Sequence, residues 1–187
     1  MHKNSDIIQQ PPIWGKTERP ESTLPFVQPT GTPEEVANSN ATPYSLFQLF
    51  FDEVFVNHLV FHTNLYAEQE QMRPAKTYKA TTFDEINAFL GINLLMGIKR
   101  LPSYKNYWFN APDLHDSYIS SLMSQKRFGW LLGHLHINDN STMPNRDSDQ
   151  FDRLYKVQPL LDHLEKAFKN ALLPSEVLAL DESMIKF

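Results

Sequence analysis

Asp181 and Glu182 stand at the carboxyl end of a short continuous apolar run, Val177-Leu178-Ala179-Leu180. A run of this kind reads as a buried strand, and a carboxylate delivered by such a strand is where nucleases and polynucleotidyl transferases hold a divalent metal. A strand followed by Asp-Glu is equally an ordinary turn, so Asp181 is a candidate and no more. His58 and His62 lie at i, i+4 spacing and could face one metal. No Glu-bearing zinc motif surrounds them, however, and they read as a solvated or half-buried helix face. His134 and His136 flank Leu135; on a helix they diverge by about 200°, so they read as cations capping the last turn. The remaining candidates are basic residues beside aromatic ones: Lys99-Arg100 ahead of Tyr104-Lys105-Asn106-Tyr107-Trp108, Lys126-Arg127-Phe128, and Arg153-Leu154-Tyr155-Lys156. Such interleaving supports phosphate contact with stacking. The rival reading makes the aromatics core and the Lys and Arg their solvated flanks.

Composition narrows the chemistry further. The 187 residues contain no cysteine, which excludes a disulfide framework, a thiolate nucleophile, an iron–sulfur cluster and every cysteine-ligated zinc site. Only 6 glycines are present, and no phosphate-binding Gly-rich loop, nucleophile elbow or His-Glu-x-x-His motif appears among the residues. With 17 Lys and Arg against 22 Asp and Glu, the net charge is -5, so no overall basic field draws nucleic acid without local patches. Hydrophobic residues at 41% and aromatics at 12% are enough for a folded core. The N-terminus lacks the apolar stretch of a secretory signal. The longest apolar stretch, 88–98, is far short of the roughly 18 residues that span a bilayer. The expectation is a soluble intracellular protein with no membrane contact and no small-molecule substrate.

The elements that position these residues are mainly helices. Seven of the 13 prolines fall at or before Pro43, in a stretch with no apolar period, so residues 1–41 read as a flexible Pro-rich tail. Thr42-Pro43 opens a helix expected over 43–66, carrying Phe47, Phe50, Phe51, Val54, Phe55, Phe61 and Leu65. Thr82-Phe83-Asp84-Glu85 forms a capping box before a helix apolar nearly all round, which places it at the domain centre. A short helix over 117–123 is followed by one capped at Ser124, with Phe128, Leu131, Leu132 and Leu135 as its buried stripe. Residues 138–150 read as a polar loop. A last amphipathic helix runs from about Leu154 to Leu172, with Pro159 tolerated in its first turn.

In order and spacing over residues 44–187, these segments resemble the piggyBac transposase-derived family. The matching stretches are Ser45–Phe51 through Thr63–Ala67, Phe83–Ile86 to Leu95–Ile98, Leu101–Tyr104 with Tyr107-Trp108, Met123–Phe128, Leu135–Asp139, Leu154–Leu161 and Leu180–Phe187. The resemblance implies a DNA transposase whose RNase H-like core holds two Mg²⁺ ions on three Asp residues, of which Asp181 matches the first. It also implies a helical dimerisation and DNA-binding portion ahead of that core, a nuclear location, and DNA-facing roles for Lys99, Arg100, Lys126, Arg127 and Lys156.

The expected fold is therefore mainly α: a helical domain over 42–174, then 175–187 as the first strand of an incomplete RNase H-like core. Within 187 residues Asp181 has no second or third family Asp beside it, so it would hold metal only in an intact core. The polypeptide alone is expected to bind no cofactor and to cut no strand. What remains is DNA binding, homodimerisation or association with a full-length relative. The alternatives are a helical protein-interaction module, or the N-terminal part of an intact metal-dependent transposase.

Overall fold

Thr82 and Ser124 open their helices as their side chains dictate. Thr82 Oγ1 accepts from Glu85 N at 3.3 Å, and Ser124 Oγ from Arg127 N at 3.3 Å, each satisfying a donor that a first helical turn leaves open. The computed structural model describes residues 26–37, 41–71, 79–111 and 113–178. Their helices run α1 Glu34–Ala37, α2 Pro43–Gln48, α3 Glu53–Gln71, α4 Phe83–Ile98, α5 Ser117–Leu122, α6 Gln125–His134 and α7 Gln158–Ala171, with 3₁₀ turns at Tyr104–Trp108 and Asn140–Thr142. Residues Thr30–Ser175 form one unit; Met1–Pro29 and Glu176–Phe187 form another. No helix among the described residues is long and apolar enough to cross a membrane.

Helix α3 packs on α4 and α6, and α5 sits on the 3₁₀ turn. Val56, Leu59, Ile86, Phe89, Ile92, Tyr107, Ile119, Phe128 and Leu131 fill the space between them. Phe128 is the hub: its ring centroid lies 5.0 Å from Phe89, 5.6 Å from Tyr104 and 5.2 Å from Trp108. Two polar side chains drawn inside find partners, as burial favours. Trp108 Nε1 donates to the Met123 carbonyl at 2.7 Å, and Asn64 both donates to Thr81 O at 3.0 Å and accepts from Thr81 N at 2.8 Å. Asn64 thus serves the segment ahead of α4 as a partner strand would.

Five expectations need correction. The helix expected over 43–66 is two helices, because Asp52 accepts from Phe55 N at 2.7 Å and caps a new start; His163 then donates to the Phe50 carbonyl at 2.9 Å and ties α7 to the break. The capping box at Thr82 forms on one side only, since the Glu85 carboxylate turns to Arg127. Helix α4 is central over its first turns, whereas Leu94 and Ile98 are exposed; on α6, Leu132 also faces solvent, so the stripe is narrower than its spacing predicts. Val177 and Leu178 are exposed, not inside as a buried strand requires. Ala179 and Leu180 lie outside the described residues.

Among the described residues one β pairing occurs, an isolated antiparallel bridge between Gly31 and Leu173. Gly31 N donates to Leu173 O at 2.9 Å and Leu173 N to Gly31 O at 2.8 Å. Gly31 sits at φ 83°, the left-handed region in which a side chain is strained.

Candidate nucleic-acid interface

The basic residues divide by what their nitrogens already hold. Arg127, in the first turn of α6, is saturated. Its Nε donates to Glu85 Oε1 at 3.1 Å and one terminal nitrogen to Glu85 Oε2 at 2.7 Å, while the terminal nitrogens also reach the carbonyls of Lys79 at 2.9 Å and Ala80 at 3.3 Å. Its guanidinium lies 4.4 Å from the Trp130 ring centroid, a cation–π contact. Partial burial pushes the Glu85 carboxyl up, but the hydrogen bonds and charge of Arg127 outweigh it, and the net shift is down. Lys99 donates to Asp116 Oδ2 at 2.9 Å. Asp116 in turn caps α5 by accepting from Ile119 N, and that bond, then Lys99, lowers its pKa.

Other cations are open. Arg100 uses Nε on the Gly97 carbonyl at 3.1 Å, and its two terminal nitrogens hold nothing among the described residues. Lys126, Arg146, Arg153 and Lys156 are exposed and make no ion pair among the described residues. The last three line one cavity of about 570 Å³ together with Met143 and Phe151. Of these, Arg153 and Lys156 flank Tyr155 in sequence, whereas Arg146 has no aromatic neighbour.

The aromatics beside these cations in sequence are mostly core. Tyr107 is buried, accepting from Leu101 N at 3.1 Å and donating to the Lys99 carbonyl; Tyr104, Trp108 and Phe128 belong to the ring cluster. Phe151 is the exception, half-buried and facing a cavity.

The histidines pack as helix-face groups. His58 donates through Nε2 to the Ile137 carbonyl at 2.6 Å, and its ring centroid is 4.4 Å from that of His62. His134 bonds the Trp130 carbonyl at 2.8 Å and His136 the His134 carbonyl at 3.0 Å, so both serve the end of α6. No three His, Asp or Glu among the described residues come together to hold an ion, and Asp181 lies outside the described residues.

His62 carries a consequence. Its Nδ1 is buried without a partner. Burial lowers its pKa first and His58 second; Asp139 opposes them and His136 adds to them. A histidine whose folded pKa lies below its unfolded value is bound by more protons when unfolded, so stability falls as pH drops below about 6.5. The thermal midpoint is expected to fall between pH 7.5 and 5.5, and His62→Gln to flatten that part of the curve; equal slopes for both proteins would show that His62 is not the source. Loss attributable to Glu85 and Asp116 enters at lower pH, below the ordinary carboxylate values.

A family model described as Transposase IS4 matches residues 42–187. The chain is 30% identical over 154 residues to human PiggyBac transposable element-derived protein 2, covering 82% of this chain and 24% of that protein. It is 31% identical over 163 residues to human PiggyBac transposable element-derived protein 5, covering 86% and 30%. The chain thus spans about a quarter to a third of the length of the curated relatives it matches. Among solved structures, the cryo-EM structure of the piggyBac transposase synaptic complex with hairpin DNA matches at a TM-score of 0.65 and 24% identity, over 79% of this chain and 30% of that one. That likeness establishes a shared helical fold.

Proposed function

The chain belongs to the Transposase IS4 family, with piggyBac transposable element-derived proteins as its relatives, and from that premise we propose that its helical unit binds DNA through phosphate contacts. The observation that carries this reading is a group of cations that pair with no carboxylate among the described residues, including Lys126, Arg146, Arg153, Lys156 and the terminal nitrogens of Arg100. In a chain of net charge -5, uncommitted cations that persist beside abundant carboxylates leave positive spots for an external anion. The solved transposase of like fold is seen with hairpin DNA, which suggests the same anion here. Arg127 then supports the interface by fixing α6 to α4 and contacts no phosphate, and Lys99 keeps one foot on Asp116.

The proposal places the protein in the nucleus, acting alone as a binding module, as a homodimer or beside a full-length relative. The Mg²⁺ chemistry of the family finds no donor set among the described residues. Asp181 is proposed as the family's first catalytic Asp, meaningful only within a complete core.

Fluorescence anisotropy of the 187-residue chain against a duplex of an element end and a scrambled duplex tests this. Binding that weakens steeply between 50 and 200 mM salt is expected, because phosphate contacts release counterions. Absence of binding to either duplex at low salt overturns the reading. A second reading, a protein-interaction surface, is favoured by Leu161 and Phe168, which are exposed and fall on one side of α7 by helical spacing. Light scattering with and without DNA separates the two: a complex with DNA supports the first, and self-association indifferent to DNA the second.

A further inference from the structure

The stretch from Met143 to Lys156 wraps the cavity of about 570 Å³, whose wall holds Arg146, Arg153, Lys156, Met143 and Phe151 and no carboxylate. Three aspartates, Asp147, Asp149 and Asp152, lie within the same stretch, yet none pairs with the three cations. The loop spends its short polar side chains on its own backbone. Asp152 Oδ1 accepts from Leu154 N at 2.8 Å, and Ser148 Oγ from Gln150 N at 3.2 Å, the local bonding by which Asp and Ser shape turns. Elsewhere some cations do pair with carboxylates, Lys99 with Asp116, Arg127 with Glu85 and Lys169 with Glu165, while among the described residues Arg100 and Lys126 do not.

The frame around the cavity is tied down. The Asn138 side chain donates to the Tyr155 carbonyl at 2.8 Å, and the Tyr155 hydroxyl, which donates to the Asp139 carbonyl at 3.0 Å, shares a 2.6 Å bond with Thr142. Helix α7 starts two residues past Lys156 with no side chain capping it. Two guanidinium forks match phosphate oxygens two at a time, a lysine adds a point charge, and the Phe151 and Met143 surfaces suit a base or sugar.

We propose that this cavity is a phosphate subsite, taking a backbone phosphate of a nucleic-acid strand with the adjoining sugar or base against Phe151 and Met143. The proposal rests on the DNA-binding reading above and narrows it to one place, to which Phe151 and Met143 are added. A phosphate contact carries no sequence information, so the subsite grips scrambled and element sequences alike.

The test uses the full 187-residue chain and a fluorescein-labelled 20-nucleotide duplex of arbitrary sequence. The variant R146Q/R153Q/K156Q, altered at exposed positions only, is expected to bind at least about tenfold more weakly at 100 mM salt, with the slope of log affinity on log salt reduced by about one. R146K/R153K is expected to keep the slope, and matching circular dichroism melts confirm that all three proteins are folded. If the unaltered chain binds and the triple variant binds equally with the same slope, the subsite is refuted while DNA binding stands. If the unaltered chain does not bind the duplex, both readings fall. Binding of inorganic phosphate alone at these residues, without the duplex, would reduce the cavity to a free-anion site and overturn the proposal.

Discussion

Phe128→Ala is expected to destabilise the helical unit by about 3–5 kcal/mol, the range for removing a fully buried ring. Phe128 is 1% exposed and is touched on three sides by Phe89, Tyr104 and Trp108. These neighbours come from α4 and from the 3₁₀ turn, so no single element can relax into the space. The void therefore persists, and dispersion contacts are lost from four rings together. Thermal denaturation should show a fall in midpoint on the order of 10 °C for a chain of this size. Phe128→Leu, which keeps much of the volume, should cost less than half as much. A Phe128→Ala protein melting within a degree or two of the unaltered one would show that these rings are not the core.

Arg127→Ala should follow at about 2–3 kcal/mol. Removing the guanidinium leaves the Glu85 carboxylate without its bidentate partner and deprives the carbonyls of Lys79 and Ala80 of their donors. The Arg127 side chain is 16% exposed and that of Glu85 23%, so water recovers part of the loss and the full penalty of a buried orphan charge does not apply. Arg127→Lys is expected to lose most of the same stability, because one ammonium cannot serve two carboxylate oxygens and two carbonyls from one fork. A double-mutant cycle with Glu85→Gln should return a coupling of about 1–2 kcal/mol. If Arg127 were a phosphate contact, Arg127→Lys would leave stability and the salt slope of DNA binding intact. That outcome would reassign it.

Arg127 also shows where the sequence was legible. Its cap was readable, since Ser124 three residues earlier announces the start of α6, and so were Thr42, Thr82 and the tolerance of Pro159. Its partner was not: Glu85 lies 42 residues away, and the local signal pointed Glu85 back to Thr82. Adjacency misled in the same segment. Lys126, Arg127 and Phe128 read as a basic–aromatic unit, but successive helical residues diverge by about 100°, so one is solvated, one clamps α4 and one is core. The break at Asp52 escaped because Phe50 and Phe51 continue the apolar period across it. The family, by contrast, was legible from the order of many short strings, as the matched model over residues 42–187 bears out. The cavity at Arg146 was illegible because side chains from one irregular loop make it, and no period describes such a loop.

The bridge between Gly31 and Leu173 sets the terms on which the helical unit joins anything else. The chain enters and leaves the unit through the same two hydrogen bonds, like a cassette with a single port. Ends held this close together are the condition under which a domain tolerates insertion into a longer chain. A pull applied to the two flanks would load those two bonds before it reached any helix.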